Sequence, residues 1–193
     1  MVRLLIISDE IKKTYPEALL GILVMRKVGN HNQHEKLDQC KLELENNLRK
    51  KFAKLDRSDL KNMEPLKTYN DYYQRFKKTY QVLLQLESIV FKNKSIPRVA
   101  SLVEVMFMAE LKNLLLTAGH DLEAIDLPIK LDISSGGEKY TLMKKRTGDG
   151  SLFLFLHSKS GFLFYNNFNS GIYYSTSGYE KSPSTILLQY CPW

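Results

Sequence analysis

The stretch Met108–Leu127, MAELKNLLLTAGHDLEAIDL, gathers Glu110, Lys112, Asn113, Thr117, His120 and Asp121 into an otherwise apolar segment. Carboxylate, amide, hydroxyl and imidazole groups are those that activate water, orient a carbonyl or hold a polar substrate. If the segment is helical through Thr117, positions 106, 110, 113 and 117 recur at spacings of four, three and four. Glu110, Asn113 and Thr117 then stack on one face that leads toward His120, and Glu104 belongs to the same helix. A polar stripe on a buried helix must find partners, either within the protein or across a pocket. His120-Asp121 carries two readings. An imidazole with an ordinary pKa near 6.5 beside a carboxylate suits a general base or a ligand. The other reading is a helix exit, with Gly119 as C-terminal cap and Asp121 as N-cap of the next turn, DLEAI. Local sequence favours the exit.

Other chemistry is sparse. The four histidines and two cysteines show no metal-ligand spacing, and His31 and His34 sit in a polar loop. Cys40 and Cys191 are too isolated to form a disulfide framework or a zinc site. SSGGEKYT lacks the spacing of a phosphate-binding loop, and no GxSxG nucleophile elbow is present. Neither a metal nor a cofactor is expected.

The elements that must position these groups follow from periodicity. VRLLIIS reads as a strand. SDEIKKTYP reads as a short helix capped by Ser8, and ALLGILVMRKV as a buried strand. EKLDQCKLELENNLRKKFAKL predicts a long amphipathic helix with Leu37, Cys40, Leu42 or Leu44, Leu48, Phe52 and Leu55 on its apolar face. SDLKNMEPLKTYNDYYQRFKKT predicts a second helix with a Ser-Asp cap. Its Tyr69, Tyr72, Tyr73, Phe76 and Tyr80 favour core packing over base stacking. VLLQLESIVFKNKSIP gives a third helix and VASLVEVMFMAELKNLLLT a fourth, central one. From IDLPIKLDIS onward, short apolar runs separated by Gly, Asn, Ser or Pro read as strands. The order is that of an α+β fold, helix-rich over 31–125 and strand-rich over 126–193.

The chain of 193 residues suits one domain at roughly 150 residues per domain. Its 44% hydrophobic and 25% charged residues are those of a globular chain. No apolar run reaches the roughly 18 residues of a membrane span. The N-terminal apolar run is too short for a secretory signal, so no membrane partner and a cytoplasmic location are expected. Net charge is +7, with cations clustered at LRKKFAKLDR, RFKKTY, FKNKSIPR and MKKR, a distribution compatible with a nucleic-acid partner.

EIKKTYPEALLGILVMRKVGN, IPRVASLVEV, ELKN…LTAGHDL and GGEKYTLM occur in this order over residues 1 to about 145. Together they resemble a stand-alone B3/B4 domain protein, related to the B3/B4 editing domain of the phenylalanyl-tRNA synthetase beta subunit. The resemblance implies a single three-layer domain over 1–193, with helices packed on a sheet sandwich of unusual topology. It implies RNA binding directed at the 3′ end of aminoacyl-tRNA, with hydrolysis of mischarged aminoacyl-tRNA in trans as the activity. His120 and Asn113 would then be catalytic, and Glu110, Thr117, Glu104 and Asp121 would contact the substrate. Lys112, Lys144, Lys145 and Arg146 would meet RNA phosphates; no DNA is expected. The tail IYYSTSGYEKSPSTILLQYCPW departs from the family pattern by lacking its arginine-threonine motif. Two alternatives therefore stand beside hydrolysis. One is a non-catalytic RNA- or small-molecule-binding module. The other is an interaction protein that forms a homodimer through its C-terminal sheet.

Overall fold

The computed structural model describes residues 4–31, 34–75, 77–122, 126–133, 140–141, 147–148, 154–158, 161–165 and 185–191. The chain opens with β1 (Leu5–Ile7) and α1 (Asp9–Thr14). The expected cap is present: Ser8 Oγ accepts the Ile11 N–H at 3.2 Å. Asp9 and Glu10 at the start of α1, with Lys12 and Lys13 at its end, complement the helix dipole.

β2 (Leu19–Met25) is a strand, as predicted, but not a buried one. It is the outer strand of a three-stranded sheet, and Leu19, Ile22 and Leu23 are exposed. A continuous apolar run fits a fully buried strand and a half-covered edge strand equally well, and here the edge prevails.

The helical region begins with α2 (Glu35–Phe52), whose buried face is Lys41, Glu45, Leu48 and Phe52. The helix is where periodicity puts it: Leu48 and Phe52 are buried and Leu44 and Leu55 pack against the same core, whereas Cys40 and Leu42 are exposed. The predicted second helix is two helices, α3 (Arg57–Asn62) and α4 (Leu66–Gln74). Pro65 stands between them, where it supplies no backbone donor to continue a helix. The cap of α3 is Asp56 rather than the Ser-Asp pair, in a reciprocal box with Asp59 at 2.8 and 2.9 Å. α5 (Gln81–Val90) and α6 (Ser101–Asn113) complete the helices.

Tyr69, Tyr73 and Tyr80 form the centre of the helical core, each at most 2% exposed. The Tyr69 and Tyr80 rings stack at 4.3 Å and those of Tyr73 and Tyr80 at 5.6 Å. The aromatic stripe is therefore core, as its spacing suggests; Phe76 lies outside the described residues.

α6 ends much earlier than LKNLLLTAG suggests. Leu114 turns into the left-handed region at φ 59°, and the chain continues as β3 (Leu116–Asp121). Gly119 is thus inside a strand rather than capping a helix, and the helical region closes at Asn113 rather than at 125. β4 (Ile129–Ile133) runs parallel to β1, with Leu5 opposite Ile129. β5 (Tyr140–Thr141) pairs with β6 (Thr147–Gly148). β7 (Leu154–Ser158) and β8 (Gly161–Tyr165) extend a four-stranded sheet in the order β1-β4-β7-β8. β9 (Thr185–Cys191) lies between β2 and β3, antiparallel to both. Helices and strands are segregated along most of the chain, which makes the fold α+β. Among the described residues no helix is long and apolar enough to cross a membrane.

The tyrosine stack yields a stability prediction. Tyr80 is fully buried, and its hydroxyl donates to the Leu114 carbonyl oxygen at 3.3 Å. Tyr80→Ala should lower unfolding free energy by about 3–5 kcal/mol. Tyr80→Phe, which removes only the hydroxyl, should cost about 1 kcal/mol. Urea denaturation followed by far-ultraviolet circular dichroism measures both.

Candidate functional site

Glu110, on α6, is 0% exposed. Its Oε1 accepts two hydrogen bonds from Thr117, from the backbone N–H at 3.0 Å and from Oγ1 at 2.9 Å. The two residues meet as expected, but not on one helical face: the left-handed turn at Leu114 folds β3 back along α6. Glu110 Oε2 is buried and has no hydrogen-bond partner among the described residues. Burial pushes the Glu110 carboxyl up to about 7, against the opposing pull of the two Thr117 bonds.

The strand conformation separates the other groups. Successive side chains of β3 point to opposite faces. Thr117 meets Glu110, so alternation puts Gly119 and Asp121 on the α6 side as well. Ala118 packs with Ile11, Leu122, Ile129 and Leu131, so His120 belongs to that opposite face. His120 and Asp121 are both buried, at 6% and 5% exposure, and alternation directs them apart. Burial lowers the His120 imidazole to about 4, so the ring is neutral near pH 7. The helix-exit reading of this pair is corrected in the same way: both residues are the end of a strand.

The remaining candidates disperse. Asn113 is exposed, and its Nδ2 donates to the Ala109 carbonyl oxygen at 2.9 Å, closing onto its own helix. Lys112 is exposed beside it. Glu104 is buried near the start of α6, where its Oε2 accepts from Lys41 Nζ at 2.6 Å and its Oε1 accepts the Val99 N–H at 2.8 Å. Asp38 stands 3.5 Å from the same ammonium and also accepts from Arg98 at 3.0 Å. Glu104 therefore holds the approach to α6 rather than facing Glu110. Lys144, Lys145 and Arg146 lie outside the described residues. Among the described residues, no group of three or more His, Cys, Asp or Glu side chains could hold a metal ion.

The fold assembles a different feature that the sequence shows only in pieces. The basic stretches LRKKFAKLDR and FKNKSIPR are far apart in the chain, but Arg49 joins them. Its Nε donates to the Ile89 carbonyl oxygen at 3.3 Å and an Nη to that of Lys94 at 3.0 Å. Arg57 bridges to the buried Glu87 at 2.7 Å, which ties α3 to α5. Lys50, Lys54, Lys92 and Lys94 are exposed, and none has an ion-pair partner among the described residues. Phe91, 43% exposed, sits in the same turn as Lys92 and Lys94. Charge clustering signals the cations, but only the tertiary contact through Arg49 shows that they share a surface.

No family model matches the chain, and no curated protein matches it.

The Glu110 environment sets a pH dependence. The carboxyl is raised from 4.5 to about 7 in the fold, so the folded state keeps a proton that the unfolded chain has released. Stability from this group is full below pH 4.5 and is lost as pH rises through about 7. The shift corresponds to about 3 kcal/mol. Glu110→Gln should therefore gain stability relative to the parent protein between about pH 4.5 and pH 8, by up to that amount. Denaturant midpoints compared across this range measure it, and a constant difference between the two proteins would contradict the assignment.

Proposed function

We propose that the protein is a B3/B4-type RNA-binding module that engages aminoacyl-tRNA, built as a single three-layer domain. The observation that carries this reading is the basic surface at the end of α2 and the turn after α5, with Phe91 among its lysines. Unpaired exposed cations neutralise phosphates, and an exposed aromatic ring offers a stacking surface to an unpaired base. The dispersal of Asn113, His120 and Glu104 supports binding over hydrolysis as the main role.

Fluorescence anisotropy with labelled tRNA tests it. Binding should weaken steeply between about 50 and 200 mM salt. Lys54→Glu combined with Lys92→Glu should lower the salt slope by about 1–2. Phe91→Ala should weaken single-stranded RNA binding by roughly tenfold. Binding that ignores salt, or that survives the double charge reversal unchanged, would remove this surface from consideration.

Hydrolysis in trans is the second reading, and Glu110 favours it. A carboxyl with a pKa of about 7 is matched to proton transfer at neutral pH. On this reading the protein should accelerate deacylation of a phenylalanine-type tRNA charged with tyrosine, and Glu110→Gln should abolish the acceleration. A rate equal to that in buffer rejects the hydrolytic reading and leaves the binding reading intact.

A further inference from the structure

β2 holds no charged residue and no proline, and its register against β9 runs unbroken from Leu19 opposite Cys191 to Met25 opposite Thr185. β9 covers one edge of it. Among the described residues, no strand pairs with the other edge. Alternate residues of an outer strand turn their N–H and C=O groups away from the sheet, and natural proteins blunt such an edge with charges, proline or a bulge. β2 has none of these devices. Its large side chains meet water on both faces instead. Leu19 is 71% and Leu23 53% exposed on one face, and Ile22 is 42% exposed on the other. Leu20 and Val24, on the Ile22 face, pack against the cluster of Ile11, Ala118 and Ile129, so the strand itself is anchored in the fold.

The two ends of the strand carry opposite charge. Glu17 precedes it, Arg26 and Lys27 follow it, and all three are exposed. None of them has an ion-pair partner among the described residues. An antiparallel pairing with a second copy sets the start of one strand against the end of the other. With Leu19–Met25 fully overlapped, the symmetry axis passes at Ile22. Ile22 then faces Ile22 of the second copy, and Leu19 faces Met25. Leu23 faces Gly21, whose missing side chain leaves room for it. Glu17 comes opposite Lys27 and beside Arg26, and symmetry repeats this at the other end. A parallel pairing would instead stack Glu17 on Glu17 and Arg26 on Arg26, where like charges repel.

We infer that the outer edge of β2 is a docking site for a second copy of this chain, paired antiparallel about Ile22 into one sheet that runs through both copies. The charge pattern selects the second copy, because the strand complements its own reverse. Such an interface is isologous and closes on itself, so it stops at the dimer. The edge lies on a different element from the basic surface of α2 and α5, and the inference is tested without nucleic acid.

Sedimentation velocity over a series of protein concentrations tests it. The parent protein should pass from monomer to dimer as concentration rises and go no further. Ile22→Lys, which sets two cations against each other at the axis, should sediment as a monomer with the parent's circular dichroism. Glu17→Lys, at an exposed position outside the strand, should weaken the dimer by roughly tenfold. Adding Arg26→Glu and Lys27→Glu to it should restore the parental affinity. A parent that stays monomeric throughout overturns the second copy as occupant. A dimer undiminished in Ile22→Lys overturns the location. A dimer that Glu17→Lys leaves intact, or that the triple variant does not restore, overturns the antiparallel register. The Glu17 series alone decides the matter where Ile22→Lys does not fold.

Discussion

Glu45, Glu104 and Glu110 each turn a carboxylate into the protein and give one oxygen to a backbone N–H where the chain leaves or enters regular structure. Glu45 accepts from Ile96, Glu104 from Val99 and Glu110 from Thr117. Backbone groups outside helices and sheets have no regular partner, and burying them unpaired costs about 1–3 kcal/mol each. The glutamates supply those partners. They also join separate segments: α2 to the connection before α6, and α6 to β3. The charge of two of them is balanced, Glu45 by Arg49 at 3.3 Å and Glu104 by Lys41 at 2.6 Å. Glu110 has no ion-pair partner among the described residues, so desolvation governs it and its proton is retained toward neutral pH.

The connection held by Glu45 and Glu104 has two sides with different character. Phe91, Lys92 and Lys94 face water at its start, beside the end of α2, while the Ile96 side chain is buried. One short segment thus carries both exposed cations and a residue of the helical core. Because Arg49 holds the Ile89 carbonyl oxygen at the end of α5 and the Lys94 carbonyl oxygen in the segment, the placement of the segment's exposed lysines depends on α2 as well as on the segment's own conformation.

Much of the fold is legible in the sequence where local signals are strong. Ser8 before DEIKK marks α1, and the tyrosine spacing marks a core face. The face of α2 is legible in Leu48 and Phe52 but not in Lys41 and Glu45, because binary patterning places charges outside. The end of α6 is not legible either. Leu114 takes a left-handed conformation without the glycine or asparagine that usually announces one, inside an apolar run that suits a helix or a strand. The pairing of Glu110 with Thr117 is legible but its geometry is not, since the same spacing suits both a continued helix and a tight turn back from its end.

The strand that replaces the expected helix end changes what the polar stretch can do chemically. On a helix, Glu110, Thr117 and His120 would converge. On β3, alternation gives Thr117 to the α6 side and His120 to the side of Ile11, Ile129 and Leu131. A reaction at this stretch therefore draws on Glu110 or on His120, but not on both at one substrate atom. Their environments also oppose each other: burial keeps Glu110 protonated toward pH 7 and His120 neutral down to about pH 4. Held on opposite sides of one strand, the two groups do not form a single acid–base pair.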